Sequence, residues 1–260
     1  DQVVSLTTKQ VTALSLLQVQ SLDSGQLNAL TATQLANISG AQLAAISTQV
    51  LSALSTTQIS NLDQKQVTSL STDQIVVGFD PTQISQFSVT QLGAFSTSAV
   101  QGLKLDQLQA LSTLQVQGLK TAQLRALGSD QLNSLTSTQV RALLSSQLAA
   151  LSTGQIQQLS SEQVSYITKD QAATLLVNQV LALTTDQMAA LTTLALSGFT
   201  TAQLSALQTA QLGALTEDEV KSLSTAQLAA FTNNQVAALT TGQLAVMSTD
   251  QVASLSNAQV

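Results

Sequence analysis

The chain lacks the residues on which most catalytic and metal sites depend. It has no cysteine and no histidine among its 260 residues. Without them, nucleophile–base pairs of the Ser-His or Cys-His type cannot be built, and ordinary zinc sites are excluded. The absence of cysteine also excludes a disulfide framework and thiol chemistry. We therefore expect that the protein is not an enzyme and has no catalytic residue, no cofactor-binding residue and no metal ligand.

Charge, aromatic residues and long apolar runs are also scarce. Charged residues make up 8% of the chain, aromatic residues make up 2%, and the formal net charge is −6. The eight Lys and Arg residues are spread out and form no basic stripe for nucleic acid. No apolar run approaches about 18 residues, so the sequence predicts no membrane span. Hydrophobic residues nevertheless reach 44% and stand at fixed positions, which argues against disorder.

One octapeptide fills the chain. It is clearest from Leu223 onward, where the sequence reads LSTAQLAA, FTNNQVAA, LTTGQLAV and MSTDQVAS. Counting in eights gives 33 anchor positions, of which 29 are Gln; the exceptions are Val50, Ala99, Ala195 and Glu219. A large apolar residue stands four positions before each anchor, and an apolar residue follows each anchor directly. Self-similarity at a fixed period indicates a repeat architecture.

Each octad carries the signals of a helix start. Ser, Thr or Asp fills 26 of the 32 positions that lie three residues before an anchor, which creates capping boxes of the type Ser-x-x-Gln. Pro81 falls at the first helical position after Asp80, where a helix accepts proline readily. All 14 acidic residues lie at the cap or within the three positions after it, where the helix dipole favours them. We expect the loss of one capping Gln to cost about 0.5–2 kcal/mol.

These signals predict an all-α solenoid in which each octad is a very short helix followed by a reversal. One continuous helix fails because eight residues overshoot two turns by about 80°, so the apolar positions would spiral around every face. A β-solenoid with bent corners is the alternative. We expect one solenoid over residues 1–260, with a shift of register at residues 75–79, where nine residues separate Gln74 from Gln83. The pattern leaves open two or three octads per superhelical turn, and it predicts that the sequence is a segment of a longer array.

Several local features are candidates for binding, and each has a structural alternative. Glu217, Asp218 and Glu219 form an acidic cluster, which is either a loose Ca²⁺ site or a solvated helix start. Its ligand spacing does not match a calcium loop, which favours the helix start. The pair Val76-Val77 is either a hinge or partner site, or part of a bulge that the array absorbs.

Other candidates rest on side chains at unusual octad positions. The pairs Leu143-Leu144 and Leu175-Leu176 put a second leucine into the turn, and they either pack between coils or form a sticky surface stripe. Tyr166 stands at a small-residue position, where packing is favoured over binding. The many Ser and Thr hydroxyls could form a glycan-binding or ice-binding surface, although most are explained as caps.

The L-[ST]-T-x-Q-[VL]-x-A unit resembles the octapeptide arrays of giant bacterial secreted proteins of adhesin-like, RTX-type or haem-utilisation/adhesion type. The resemblance covers essentially the whole chain, although the RTX nonapeptide itself, rich in Gly and Asp, is absent. It implies an extracellular or cell-surface location and a role as an extended spacer or stalk in adhesion or biofilm. The alternatives are a subunit of a self-assembling extracellular filament and a repetitive glycan- or ice-binding module. The expected partners are the chain itself and a glycan or surface ligand.

Overall fold

The computed structural model describes residues 2–259 and is helical throughout that range. It contains one 3₁₀ helix, Val3–Ser5, and 31 α-helices, with no strand among the described residues. The all-α prediction is therefore confirmed, and the β-solenoid alternative is wrong. The α-helices are only four to seven residues long. A helix this short is not stable alone in water, so contacts between octads must stabilise it.

The α-helices have the following bounds in chain order: α1 Thr8–Thr12, α2 Leu16–Gln20, α3 Ser24–Ala29, α4 Ala32–Ala36, α5 Gly40–Ala45, α6 Thr48–Leu51, α7 Thr56–Ser60, α8 Gln64–Ser69, α9 Thr72–Gly78, α10 Pro81–Ile84, α11 Val89–Leu92, α12 Thr97–Gly102, α13 Leu105–Gln109, α14 Thr113–Gln117, α15 Thr121–Ala126, α16 Ser129–Ser134, α17 Ser137–Ala142, α18 Ser145–Ala150, α19 Thr153–Gln158, α20 Ser161–Ser165, α21 Lys169–Thr174, α22 Val177–Ala182, α23 Thr185–Ala189, α24 Thr193–Leu196, α25 Thr201–Ala206, α26 Thr209–Gly213, α27 Glu217–Ser222, α28 Thr225–Ala229, α29 Asn233–Ala237, α30 Thr241–Ala245 and α31 Thr249–Ala253.

The capping boxes form as predicted. In α28, the backbone N–H of Gln227 donates to Ser224 Oγ at 3.2 Å, and the backbone N–H of Ser224 donates to Gln227 Oε1 at 2.9 Å. Half of the box persists where the cap side chain offers no oxygen, since the backbone N–H of Lys104 still donates to Gln107 Oε1 at 2.8 Å. The anchor side chain thus satisfies one of the orphan donors at the helix start even without a Ser or Thr partner.

The chain reverses through two consecutive extended residues between helices. Leu30 has φ −61° and ψ 132°, and the following cap, Thr31, has φ −65° and ψ 154°. No described residue has a positive φ or a cis peptide bond. Because neither conformation is strained for an ordinary side chain, the reversal needs no glycine and can be repeated with any large apolar residue before the cap.

Helices three apart in chain order pack against each other. Helix α5 contacts both α2 and α8, and α21 contacts both α18 and α24. The same spacing holds for every extensive helix–helix contact among the described residues. Of the two spacings that the sequence left open, the structure therefore has three octads per turn.

The described chain divides into two compact units, one up to Thr136 and one from Ser137 onward. In each unit the core consists of the residue before the cap and the residue after the anchor, such as Leu27 and Leu30 in the first and Leu204 and Leu207 in the second. The first unit also contains three phenylalanines from successive octads that pack edge to face. Their ring centroids are 5.2 Å apart for Phe79–Phe87 and 5.1 Å apart for Phe87–Phe95.

The close approach of turns makes one pair of glycine substitutions informative. A Cβ on Gly198 would lie 2.2 Å from the backbone oxygen of Lys169 in the preceding turn, whereas a Cβ on Gly154 would meet only Ser152 Oγ, at 3.9 Å. We expect Gly198→Ala to destabilise the second unit by about 1–3 kcal/mol. Gly154→Ala should stabilise it by about 0.4–1 kcal/mol, because alanine restricts the unfolded chain more than glycine does. Native-state hydrogen exchange, followed in α24 for Gly198→Ala and in α19 for Gly154→Ala, checks this. Equal effects would contradict the close contact between Gly198 and the preceding turn.

Candidate functional site

The most extensive polar arrangement in each unit is a row of buried anchor glutamines, and we call these glutamines the glutamine ladder. Every Gln at an anchor position from Gln34 to Gln251 is buried. Gln66 is typical: its Oε1 accepts from the backbone N–H of Asp63 at 2.8 Å. Its Nε2 donates to the backbone oxygens of Leu35 at 2.8 Å and of Ile38 at 2.7 Å, both in the preceding turn. One side chain therefore caps its own helix and ties it to the turn before.

The acceptors of the ladder are carbonyls at the ends of short helices and in the reversals that follow them. The first of them also accepts from the residue that ends its own helix, as Ala172 O does from the backbone N–H of Leu175 at 3.3 Å. The last four C=O groups of any α-helix have no partner within that helix. Gln203 Nε2 donates to Ala172 O at 3.0 Å, at the end of one helix, and to Leu175 O at 2.6 Å, in the reversal that follows. A single octad of the sequence predicts only the capping half of this role; the inter-turn half appears in the structure.

The ladder also accommodates the extra residue at 75–79. Helix α9 is the longest, with seven residues, and it ends at Gly78. The next anchor, Gln83, still donates to Leu54 O at 2.7 Å, over a separation of 29 residues where 28 is usual. Val77 is 62% exposed, whereas Val76 is half-buried and lies against Gly102 of the following turn. The two valines therefore form no exposed pair.

The acidic cluster is not a uniformly solvated helix start. Glu217 and Asp218 are exposed, but Glu219 occupies an anchor position and is only 2% exposed. The solvated interpretation is thus wrong for Glu219, because its octad position places it under the preceding turn. No group of three or more acidic residues within the described chain has the arrangement of a metal site.

The second leucine of each leucine pair does not pack between coils. Leu144 is 45% exposed and Leu176 is 51% exposed, whereas Leu143 and Leu175 are buried. Helix α22 carries two further exposed apolar side chains, Val177 and Leu181. Each leucine pair therefore leaves one leucine side chain exposed.

Tyr166 makes a local polar contact. It is half-buried, and its hydroxyl donates to Glu162 Oε1 at 2.5 Å, one helical turn earlier in the chain. This hydrogen bond is the main cause that raises the pKa of the Tyr166 hydroxyl. The contact anchors the side chain within its own octad and gives no sign of a ligand.

Part of the chain is similar to a known repeat family. Three segments of the chain, residues 113–145, 142–176 and 180–225, match the family model of the ALTTAQ repeat. The match supports a tandem repeat array and a structural repeat protein. No curated protein matches the chain. Every helix within residues 2–259 is too short to cross a bilayer as an apolar span.

Proposed function

We propose that the chain is a structural repeat region of an exported bacterial surface or matrix protein, where it acts as a spacer or stalk in adhesion or biofilm and has no catalytic role. The glutamine ladder carries this proposal. The residue that defines the repeat is used to join one turn to the next, as in the 2.8 Å bond from Gln235 Nε2 to Leu207 O. An array whose units contact only their neighbours gains length simply by adding octads. The resemblance to secreted adhesin-like arrays supports the location and the role.

The spacer proposal can be tested by bacterial surface display. The chain is placed between a cell-wall anchor and a tip module with a known ligand, and adhesion to ligand-coated beads is measured. Deleting residues 145–168 removes three whole octads and leaves the remaining octads in phase, so adhesion should be retained. Deleting residues 145–148 breaks the octad phase and should reduce adhesion, because the first anchors beyond the deletion, such as Gln171, lose their acceptors before it.

Two outcomes would count against the spacer. Equal adhesion by the two deletion variants would show that the folded array is not needed for presentation. Adhesion of cells that carry the array without a tip module, or binding of the purified chain on a glycan array, would favour a binding module instead.

A further inference from the structure

Glu219 is the one acidic residue at an anchor position. It keeps the capping half of the anchor role, since Oε2 accepts from the backbone N–H of Thr216 at 2.6 Å and from Thr216 Oγ1 at 3.0 Å. The side chain is 2% exposed, so it occupies the same buried site as the glutamines before and after it.

The other carboxyl oxygen, Oε1, is buried and has no hydrogen-bond partner. In the neighbouring octads this position belongs to a donor: Gln211 Nε2 donates to Val180 O at 3.0 Å and to Leu183 O at 2.8 Å. The equivalent acceptors for Glu219, eight residues further along, are the backbone oxygens of Met188 and Leu191. An ionised carboxylate has no hydrogen to give to a carbonyl, whereas a neutral carboxylic acid has one.

We propose that Glu219 forms a hydrogen bond between turns that depends on its carboxyl proton, and we call this residue the latch. As a neutral acid it donates from Oε1 to the carbonyl of the preceding turn, as a glutamine does, and loss of that proton releases α27 from the turn formed by α23 and α24. The other anchor positions without glutamine are occupied by Val50, Ala99 and Ala195, whose side chains do not titrate. Among the anchor positions, only the contact between α27 and the preceding turn therefore becomes pH-dependent.

The helices around Glu219 place no positive charge where it could offset the negative charge of an ionised carboxylate. The helices with extensive contacts to α27 are α24 and α30, and neither carries a charged residue. The charged side chains on α27 itself and on α23 are Glu217, Asp218, Lys221 and Asp186, and all four are exposed. No cation therefore lies buried beside Glu219 to stabilise an ionised form.

The direction of the pH dependence follows from the shift in pKa. Burial raises the pKa of the Glu219 carboxyl above its ordinary value of 4.5, and the hydrogen bonds from Thr216 oppose that rise. A group whose folded-state pKa is raised binds its proton more tightly when folded. Its stabilising contribution is complete below pH 4.5 and is lost as the pH rises through the folded-state pKa. Between the unfolded-state and folded-state pKa of Glu219, the equilibrium constant for opening α27 from the preceding turn rises by up to about tenfold per pH unit.

Hydrogen exchange tests the latch directly. Exchange of the backbone amides of α23, α24 and α27 is followed from about pH 4 to about pH 8, a range that brackets a raised carboxyl pKa. Glu219→Gln restores the Nε2 donor and removes the titration. The ratio of wild-type to Glu219→Gln exchange rates should therefore grow with pH in these helices and stay constant elsewhere. The comparison at each pH cancels the intrinsic dependence of exchange on hydroxide.

The matched control is Glu217→Gln, which makes the same chemical change on an exposed side chain two residues away. It should leave the pH dependence of the wild type in place. The carboxyl carbon of Glu219, followed by ¹³C NMR, should titrate above the ordinary range for glutamic acid. Titration at or below that range, or identical pH profiles for the wild type and Glu219→Gln, would overturn the proposal.

Discussion

Replacing Gln203 with alanine should lower the free energy of opening of its turn by about 2–5 kcal/mol. The side chain is 2% exposed; its Oε1 accepts from the backbone N–H of Thr200 at 2.6 Å, and its Nε2 donates to Leu175 O at 2.6 Å. Alanine leaves both backbone groups without these partners. Loss of the cap at the exposed Thr200 costs about 0.5–2 kcal/mol, and the unsatisfied carbonyl of the buried Leu175 costs about 1–3 kcal/mol. Native-state hydrogen exchange in α22 and α25 measures the change, because a repeat array does not unfold in a single two-state step.

Gln26→Ala is the matched control for this prediction. Gln26 is exposed, and it caps its own helix by accepting from the backbone N–H of Asp23 at 3.0 Å. Its substitution removes a capping interaction without an inter-turn bond, so it should cost about 0.5–2 kcal/mol, as cap losses do. If both substitutions have the same cost, the bonds between turns contribute nothing and the structural role of the ladder is contradicted.

Phe87→Ala should destabilise the first unit by about 3–5 kcal/mol, the usual cost of removing a buried phenylalanine ring. Phe87 is 1% exposed and packs edge to face between Phe79 and Phe95. The backbone of the surrounding octads is fixed by capping and by the ladder, so the cavity cannot close fully. Native-state hydrogen exchange in α10 and α11, which flank Phe87, measures the loss.

Leu17→Ala removes a similar apolar side chain from the surface of the same unit. Leu17 is 77% exposed, so the substitution should change stability by no more than about 0.5 kcal/mol. A loss of similar size in the two variants would show that the phenylalanine row is not a packed core.

The helix starts could be predicted from sequence because their signals are local. A cap residue such as Ser224, an anchor such as Gln227 and the apolar residues beside them lie within a few positions of each other, so one octad contains the whole motif. The core was predictable for the same reason, since the residue before the cap and the residue after the anchor repeat at fixed places. Expectations built on these positions agree with the structure.

The inter-turn half of the ladder depends on contacts about 28 residues apart, so no single octad reveals it. A signal was nevertheless present in the composition. Either Glu or Gln completes a capping box, yet 29 of the 33 anchors are Gln and only one is Glu. A preference this strong indicates that the side-chain N–H group is used, because it is the feature that Gln has and Glu lacks.

The burial of Glu219 and the number of octads per turn could not be predicted. Both depend on the change of helix direction at each reversal, summed over several octads. A small change in the extended dihedral angles of residues such as Leu30 and Thr31 alters the direction of every following helix. The capping pattern is compatible with several such angles. Only the packing of one turn on the next selects the spacing, and that packing in turn buries the anchor side chains.

Trapping one contact between turns with a disulfide tests this packing most directly. A Cβ on Gly102 would lie 3.9 Å from the Cβ of Val76, close to the mean of about 3.8 Å for disulfides. The chain has no cysteine, so an introduced pair has no other partner within the molecule. The control pairs Gly102→Cys with Gln86→Cys, which lies 16 residues earlier, the separation expected for two octads per turn. Mild oxidation should close the V76C/G102C pair in the folded chain and leave the Q86C/G102C pair reduced. Closure of the Q86C/G102C pair, with V76C/G102C still reduced, would contradict the packing of each octad on the one three before it.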